Sequence, residues 1–144
     1  MADIESIEIE VITGDEPDAG TDALLYLGIG GREFLLDNYD EDDFRRGDRN
    51  VFRLGCGSTV THPSTNDPTA PRLTLDDVER HPVYLRLNAQ LEGDSWLLEN
   101  VWVTVRADDR DVRYDRSMLD GPGADRAIWL GIRDGCVLHL DRGR

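Results

Sequence analysis

The sequence predicts an all-β protein, built as a sandwich or a barrel of short strands. Apolar residues recur at every second position over much of the chain, as in Ile7, Ile9 and Val11. A period of two is typical of strands with one face in a core, whereas a helix repeats every 3.6 residues. Gly- and Asp-rich turns such as Gly30-Gly31 separate these runs. Many short strands joined by such turns favour a sandwich or a barrel.

The same alternation predicts the elements in order along the chain. After strands at 7–11 and 24–29, Gly30-Gly31 predicts a tight hairpin into a strand at 33–36. Residues 55–72, rich in Gly, Ser, Thr and Pro, predict a long surface loop, and 73–80 a short helical turn. Trp96 and Trp102 lie an even number of residues apart, so we expect them on the same face of one strand, with Trp96 packed in the core. The other strands are predicted at 50–54, 83–89, 101–105, 111–114, 127–130 and 136–140, with turns at Asp109-Arg110 and Asp134-Gly135.

Length and composition restrict the class of protein. The 144 residues suffice for a single domain, 1–144, with its own core. Acidic residues number 30 against 16 basic ones, all of them Arg, for a net charge of −14. Adaptation to high salt or a GC-rich codon bias would explain this balance, and so would acid clusters that bind cations. The lack of a basic patch argues against nucleic-acid binding.

The termini and cysteines predict little special chemistry. The acidic start, Met1-Ala2-Asp3, lacks the features of a signal peptide, and no apolar stretch approaches 18 residues. We therefore expect a cytoplasmic protein without a transmembrane segment, or a secreted one if a leader was removed. Cys56 and Cys136 either pair or lie apart as thiols, and their spacing does not predict a zinc site.

The residues that suggest chemistry are acidic and lie in three predicted loops. Hard divalent cations prefer carboxylate, amide and carbonyl oxygens, supplied by loops that a rigid sheet holds. If the loops meet at one end of a sandwich, a cation would relieve the repulsion between their carboxylates. The alternative is a solvated acidic face with Asp in ordinary turns. The clusters are Asp15, Glu16, Asp18, Gly20, Thr21 and Asp22; Asp37, Asn38, Asp40, Glu41, Asp42 and Asp43; and Glu92, Gly93, Asp94 and Ser95.

No catalytic residue is predicted. The chain has no G-x-S-x-G motif and no EF-hand pattern, and His62, His81 and His139 are scattered. We therefore expect a protein that is not an enzyme.

Several segments occur in a characteristic order along the chain: Thr13-Gly14-Asp15; Asp18-Ala19-Gly20-Thr21-Asp22-Ala23 leading into 24–29; Phe44-Arg45-Arg46-Gly47 with Val51-Phe52; and Trp96-Leu97-Leu98-Glu99-Asn100-Val101. These segments resemble PLAT (polycystin, lipoxygenase, alpha-toxin) domains, in particular the calcium-binding C-terminal domain of clostridial alpha-toxin phospholipases. The resemblance covers roughly residues 4 to 106, and residues 55–72 depart from it because they are longer and more polar. Asp37-Asn38 with Asp42 and Phe44, and Trp129-Leu130-Gly131 near the end, also resemble the toxin domain.

The resemblance implies an eight-stranded antiparallel β-sandwich of two four-stranded sheets, without enzyme activity. It implies Ca²⁺ as the cofactor, and docking to a phospholipid surface or a partner protein through the calcium loops. One implied site uses the side chains of Asp18 and Asp94 with the carbonyls of Gly20 and Ser95. Another uses the Thr21 carbonyl next to Asp22, together with Asp37, Asn38, Asp40 and either Asp42 or Asp43. The last choice stays open because this chain has one extra residue between Asn38 and Phe44.

The loops offer little for insertion into a membrane. Tyr39 is the main large side chain in them, and a net charge of −14 opposes binding to anionic lipid. The competing function is a structural or protein-interaction sandwich with a salt-adapted acidic surface and no specific metal site.

Overall fold

Nine strands and one short α-helix form the main regular structure of residues 2–119 and 127–143, which the computed structural model describes. The predicted all-β class is confirmed, and each predicted strand is present with its ends moved by a few residues. The elements are β1 Ile4–Thr13, β2 Leu24–Ile29, β3 Arg32–Leu35, β4 Arg49–Gly55, α1 Leu75–Arg80, β5 Val83–Asn88, β6 Trp96–Ala107, β7 Asp111–Asp115, β8 Ile128–Leu130 and β9 Val137–Arg142.

The strands pair antiparallel in the order β3-β2-β5-β9-β7-β6-β1-β4, with β8 on β6. Strands β3-β2-β5-β9 and β4-β1-β6-β7 form the two parts of a curled sandwich. Only two residue pairs, Tyr114 with Arg142 and Asp115 with Asp141, join β7 to β9. The prediction of eight strands in two separate sheets of four is therefore not confirmed in detail, because a ninth strand is present and the pairing continues from one part to the other.

The core lies between the two parts and follows from the two-residue period. Ile7, Ile9 and Val11 of β1 and Leu25 and Leu27 of β2 are fully buried in one apolar cluster. The polar residues between them on β1, such as Glu8, lie on the outer face. Alternation of this kind gives each strand one face in the core, as the sequence predicts.

A register shift in β6 corrects the prediction about its two tryptophans. Ile12 of β1 pairs with Asn100, but the next residue, Thr13, pairs with Leu98, so Glu99 is an extra residue in β6. A bulge of this kind turns the residues on one side of it to the opposite face. Trp96 is therefore in the core with 0% exposure, whereas Trp102 is half-buried on the outer face. The expected core position of Trp96 is confirmed, and the shared face is wrong.

The connections have local causes that the sequence contains. Gly30 and Gly31 adopt φ of +62° and +80°, which a tight β2–β3 turn requires and which glycine tolerates at little cost. Helix α1 begins at a capping box in which Thr74 and Asp77 bond each other's backbone. The long loop covers an edge of the sheet, since Asn66 Oδ1 accepts a hydrogen bond from Leu35 N of β3 (2.8 Å).

Cys56 is exposed and Cys136 half-buried, and both thiols are free. Among the helices of the described ranges, none has the length and apolar character needed to cross a membrane.

Candidate metal centre

Three acidic loops lie at the same end of the sandwich because of strand direction. Thr13 at the end of β1 pairs with Leu98 near the start of β6, and Leu24 at the start of β2 pairs with Asn88 at the end of β5. The loops 14–23 and 89–95 therefore leave the sheets side by side. Loop 36–48 joins β3 to β4 at this end, where Arg49 pairs with Ile12. We call these loops, with the turn 131–135 after β8, the rim.

Hydrogen bonds hold the rim loops against one another. Leu97 N donates to Ala19 O (2.9 Å), and Thr21 N donates to Phe44 O (3.0 Å). The Thr21 hydroxyl donates to Asp94 O (2.7 Å). Gly20 fits between these contacts because a Cβ there would lie 2.8 Å from Phe44 O. The sequence clusters thus meet in space as expected, at contacts made largely by backbone atoms.

The first pocket of the rim, which we call the Asp43 pocket, collects carboxylates from two loops. Thr21, Leu24, Leu36 and Phe44 are among the residues that line it. The acidic residues that line it are Asp22, Asp37, Glu41, Asp42 and Asp43. Glu41 belongs to a predicted cluster but was not among the candidate ligands. Four of the five acids follow β3 within one short loop, so their meeting is largely local.

Asp43 is the most perturbed carboxylate of this pocket. It is buried and accepts hydrogen bonds from Asn38 N (2.9 Å) and Asn50 Nδ2 (3.3 Å). Burial, together with the negative charges of Asp37 and Glu41, raises its pKa from 3.8 to about 6, although the Asn38 bond acts in the opposite direction. Ionised Asp43 is therefore held close to other negative charges in a site that water screens poorly.

The second pocket, which we call the Asp18 pocket, combines loops that are distant in sequence. Asp18 and Gly20 come from the first loop, Glu92 and Ser95 from the third, and Asp134 from the turn after β8. Asp18 has a φ of +63°, a conformation that Asp adopts more readily than most residues. Trp129 of β8 also lines this pocket. Neither Asp134 nor Trp129 was predicted here, because their position depends on the pairing of β8 with the start of β6.

A groove between the two pockets contains Asp94, together with Asp22, Asp42, Asp43 and Arg45. Oδ2 of Asp94 accepts from both Gln90 N and Leu91 N at 3.0 Å, so this carboxylate closes its own turn. These bonds do not use Oδ1. Asp94 and Asp18 thus lie at the same end of the molecule, but Asp94 does not line the Asp18 pocket.

Two other candidate ligands are placed differently from the rest. The buried Asn38 side chain is used inside the fold, since Oδ1 accepts from Thr59 Oγ1 (2.8 Å) and Nδ2 donates to Val51 O (2.9 Å). Asp40 is exposed on a turn with a φ of +57° and lines neither pocket. Asp42 and Asp43 both line the Asp43 pocket, Asp42 from an exposed position and Asp43 from a buried one.

Arginine side chains neutralise part of the rim. Arg46 pairs with Asp15 (3.0 Å), Arg45 with Asp42 (3.5 Å), and Arg133 with Glu92 (2.7 Å). All three pairs are exposed, and such pairs contribute about 0–1 kcal/mol each to stability. They are therefore easily exchanged for a stronger partner of the carboxylates.

The donor set fits a hard cation. The titratable groups of the residues that line the two pockets are carboxylates, and Ca²⁺ is bound by carboxylate and backbone carbonyl oxygens. Within residues 2–119 and 127–143, however, no three His, Cys, Asp or Glu side chains are already grouped to hold a metal ion. Binding would require side chains to turn toward a common point, and most of the rim carboxylates are exposed enough to do so.

The rim also exposes apolar side chains, which corrects the expectation that Tyr39 stands nearly alone. Leu91 is 69% exposed in the third loop and Ile132 is 49% exposed in the turn after β8. The Glu92–Arg133 ion pair joins the residues next to them. Leu24 is exposed beside the Asp43 pocket. The acidic pockets are thus bordered by apolar side chains from four parts of the chain.

Comparisons with known proteins show the fold. No protein-family model and no curated protein matches the sequence. Alpha-toxin from Clostridium absonum is similar in structure with a TM-score of 0.60 and 23% identity, over 97% of this chain and 32% of the toxin. Coral 8R-lipoxygenase gives 0.57 and 19%, over 96% of this chain and 17% of the lipoxygenase. Clostridium perfringens alpha-toxin from an avian strain gives 0.51 and 21%, over 79% and 30%.

The chain therefore spans less than a third of each of these structures. At these identities the similarity establishes the fold, and the predicted PLAT-like sandwich is confirmed at that level. The coral lipoxygenase is described as activated by calcium through a C2-like domain.

Proposed function

We propose that this PLAT-like sandwich is a non-catalytic module that binds Ca²⁺ at its rim and thereby docks onto a phospholipid surface. The observation that carries the proposal is the Asp43 pocket, which is lined by carboxylates of two loops and in which Asp37 and Glu41 oppose the ionisation of the buried Asp43. A pocket of this kind favours a bound cation over a solvated acidic face. The calcium activation described for the coral lipoxygenase, which has a similar fold, supports the same assignment.

The two pockets would hold cations with different residues. In the Asp43 pocket the ligands would be Asp37, Asp42 and Asp43, with Asp22 and the Thr21 carbonyl alongside. In the Asp18 pocket they would be Asp18 with the carbonyls of Gly20 and Ser95, while Glu92, Asp94 and Asp134 supply further oxygens nearby. The bound ion supplies positive charge that neutralises these carboxylates and can accept a phosphate oxygen as a further ligand.

A lipid surface is favoured over a partner protein by the apolar border of the rim. Leu91, Ile132 and Tyr39 are exposed in the rim loops that carry the carboxylates, and Leu24 is exposed at the start of β2 beside them. Large apolar side chains around a cation site suit the boundary between headgroups and acyl chains. The net charge of −14 opposes approach to anionic lipid in the absence of Ca²⁺. Docking would therefore depend on the cation.

Calcium is expected to raise the melting temperature of the wild-type protein by several degrees. A ligand that binds only the folded state at about 100 times its Kd stabilises it by about 2.7 kcal/mol. Differential scanning calorimetry in EDTA and in millimolar CaCl₂, at ionic strength matched with NaCl, measures the shift. Asp37→Asn and Asp18→Asn should each reduce it, whereas Asp40→Asn should leave it unchanged. An equal melting temperature in CaCl₂ and NaCl would favour the salt-adapted sandwich without a metal site.

Calcium is also expected to make the protein sediment with vesicles of phosphatidylcholine and phosphatidylserine, whose surface is anionic. Replacing both Leu91 and Ile132 with serine should weaken this binding by about tenfold or more, since each apolar side chain gains free energy on leaving water. Both side chains are exposed, so the folded state should tolerate the change. Val51→Ser, at another exposed apolar site, within β4, is the control. Calcium binding without any sedimentation would instead point to a partner protein.

A further inference from the structure

Thr21 lies where the three rim loops meet and bonds to two of them besides its own. Its backbone N donates to Phe44 O (3.0 Å) in the second loop, and its hydroxyl donates to Asp94 O (2.7 Å) in the third. The same hydroxyl accepts a hydrogen bond from Ala23 N (3.1 Å). The residue is 7% exposed, so water competes little for these bonds.

Its position also joins the two pockets. Thr21 lines the Asp43 pocket, and Gly20 directly before it lines the Asp18 pocket. The carbonyl that accepts the hydroxyl bond belongs to Asp94, the residue directly before Ser95 of the Asp18 pocket. The hydroxyl bond therefore links the third loop directly to the first loop, which contributes residues to both pockets.

We infer that the Thr21 hydroxyl couples the two cation subsites, so that filling one raises the affinity of the other. This inference rests on the proposed function. Cation binding at the Asp18 pocket orders the third loop. The hydroxyl bond extends that order to Thr21 and Asp22, which line the Asp43 pocket. The conformational entropy lost on ordering is then lost once for both sites, which produces positive coupling. Asp22 and Asp42 in the groove between the pockets offset the repulsion between two cations.

Two substitutions separate this positioning role from simple packing. Thr21→Val keeps the shape of the side chain but removes the hydroxyl, so that Asp94 O and Ala23 N lose their partner. Thr21→Ser keeps the hydroxyl and removes only a methyl group, so it serves as the conservative rescue variant. Both variants retain the backbone bond from residue 21 to Phe44 O.

Calorimetric titration of the full chain with CaCl₂ tests the coupling. Each background (wild type, Thr21→Val and Thr21→Ser) is compared with and without Asp37→Asn, which disables the Asp43 pocket. In wild type and Thr21→Ser, Asp37→Asn should weaken calcium binding at the Asp18 pocket by about threefold to tenfold, the range that one net hydrogen bond corresponds to. In Thr21→Val the same change should leave that affinity within about twofold.

Hydrogen exchange of the amides in loop 89–95 provides a second readout. Asp18→Asn disables the Asp18 pocket, yet with Thr21 in place calcium should still slow exchange in this loop by binding at the Asp43 pocket. When Thr21→Val is added to Asp18→Asn, that remote protection should vanish. Equal coupling and equal remote protection in wild type and Thr21→Val would overturn the role of Thr21 while leaving calcium binding intact. Absence of any calcium heat in wild type would overturn the proposed function itself, and the coupling with it.

Discussion

Replacing Trp96 with alanine is expected to lower the free energy of unfolding by about 3–5 kcal/mol, the cost typical of a large buried aromatic residue. The side chain is fully buried at the start of β6. Its ring lies 5.3 Å from that of Phe44 in an edge-to-face contact, and its Nε1 donates to Thr13 Oγ1 (2.9 Å). Domains of this size are stable by about 5–15 kcal/mol, so the variant would retain only part of its stability.

Urea denaturation followed by far-UV circular dichroism measures this effect without relying on tryptophan emission. Trp102→Ala is the matched control, because it removes the same side chain from the outer face of the same strand. Trp102 is half-buried and has the Arg113 guanidinium 5.7 Å from its ring. Its removal should cost about 1 kcal/mol, as is common for partly exposed positions. Equal losses for the two variants would contradict the bulge at Glu99, which places the two rings on opposite faces.

The loss at Trp96 also bears on the rim. Phe44, which contacts the ring of Trp96, accepts the Thr21 N–H through its carbonyl. Trp96→Phe retains an aromatic neighbour for Phe44 but leaves the Thr13 hydroxyl without its donor. We expect this milder variant to fold, with a loss of about 1–3 kcal/mol from the unmade hydrogen bond and the smaller ring. It therefore allows calcium binding to be measured when the alanine variant is too unstable.

The second large effect is expected from Asp43→Asn, which should raise the free energy of unfolding in EDTA at pH 7 by about 1–3 kcal/mol. A pKa displaced by one unit corresponds to 1.36 kcal/mol, and the pKa of Asp43 is raised from 3.8 to about 6. Asparagine removes the charge that burial and the nearby Asp37 and Glu41 oppose. Its Oδ1 can still accept the Asn38 N–H, although the longer bond that Asn50 Nδ2 donates to Asp43 (3.3 Å) is lost.

The sign of the pH dependence follows from the same displacement. Because the folded state holds the Asp43 proton more tightly than the unfolded state, this group makes the protein most stable below pH 4. Its contribution is lost as pH rises through about 6, and it adds no slope above that. Thermal unfolding in EDTA between pH 4 and pH 8 should therefore show a decline in wild type that is smaller in Asp43→Asn. The other titratable residues that line the pocket are present in both proteins; they are Asp22, Asp37, Glu41 and Asp42.

Asp40→Asn serves as the control for Asp43→Asn, because Asp40 lies in the same loop but on an exposed turn. Asparagine tolerates the φ of +57° at this position. It should leave the pH profile as in wild type. In CaCl₂ at pH 7 the wild-type protein should have a higher free energy of unfolding than Asp43→Asn, the reverse of the order expected in EDTA. The reason is that the cation would replace the proton as the partner of the Asp43 carboxylate. Destabilisation by Asp43→Asn in EDTA would show that the charge at this position is already compensated within the fold.

Much of the fold could be predicted because its causes are local. The alternation of Ile7, Ile9 and Val11 with glutamates requires a strand with one buried face, and Gly30-Gly31 permits the positive φ of a tight hairpin. The acidic loops could also be found, since each is contiguous in sequence. The direction of the strands then brings loops 14–23, 36–48 and 89–95 to one end.

Contacts that depend on register could not be predicted in the same way. One extra residue at Glu99 turns Trp96 into the core while Trp102 stays outside. The pairing of β8 with the start of β6 brings Asp134 to the pocket of Asp18, more than a hundred residues earlier in the chain. Neither the bulge at Glu99 nor the position of Asp134 can be deduced from the composition or periodicity of the segments involved.

The sequence by itself determined the class of fold, the hairpin and which loops carry carboxylates, because side-chain alternation and turn chemistry act between neighbouring residues. Only the tertiary structure decided which carboxylates are buried, which are used as caps and which face a common pocket. Asp43, Asp94 and Asp40 have the same side chain, yet one is buried, one closes its own turn and one is exposed. Their difference arises from the desolvation and hydrogen bonding that the folded loops impose, even though the hydrogen-bond partners of Asp43 and Asp94 lie within seven residues of them in the chain.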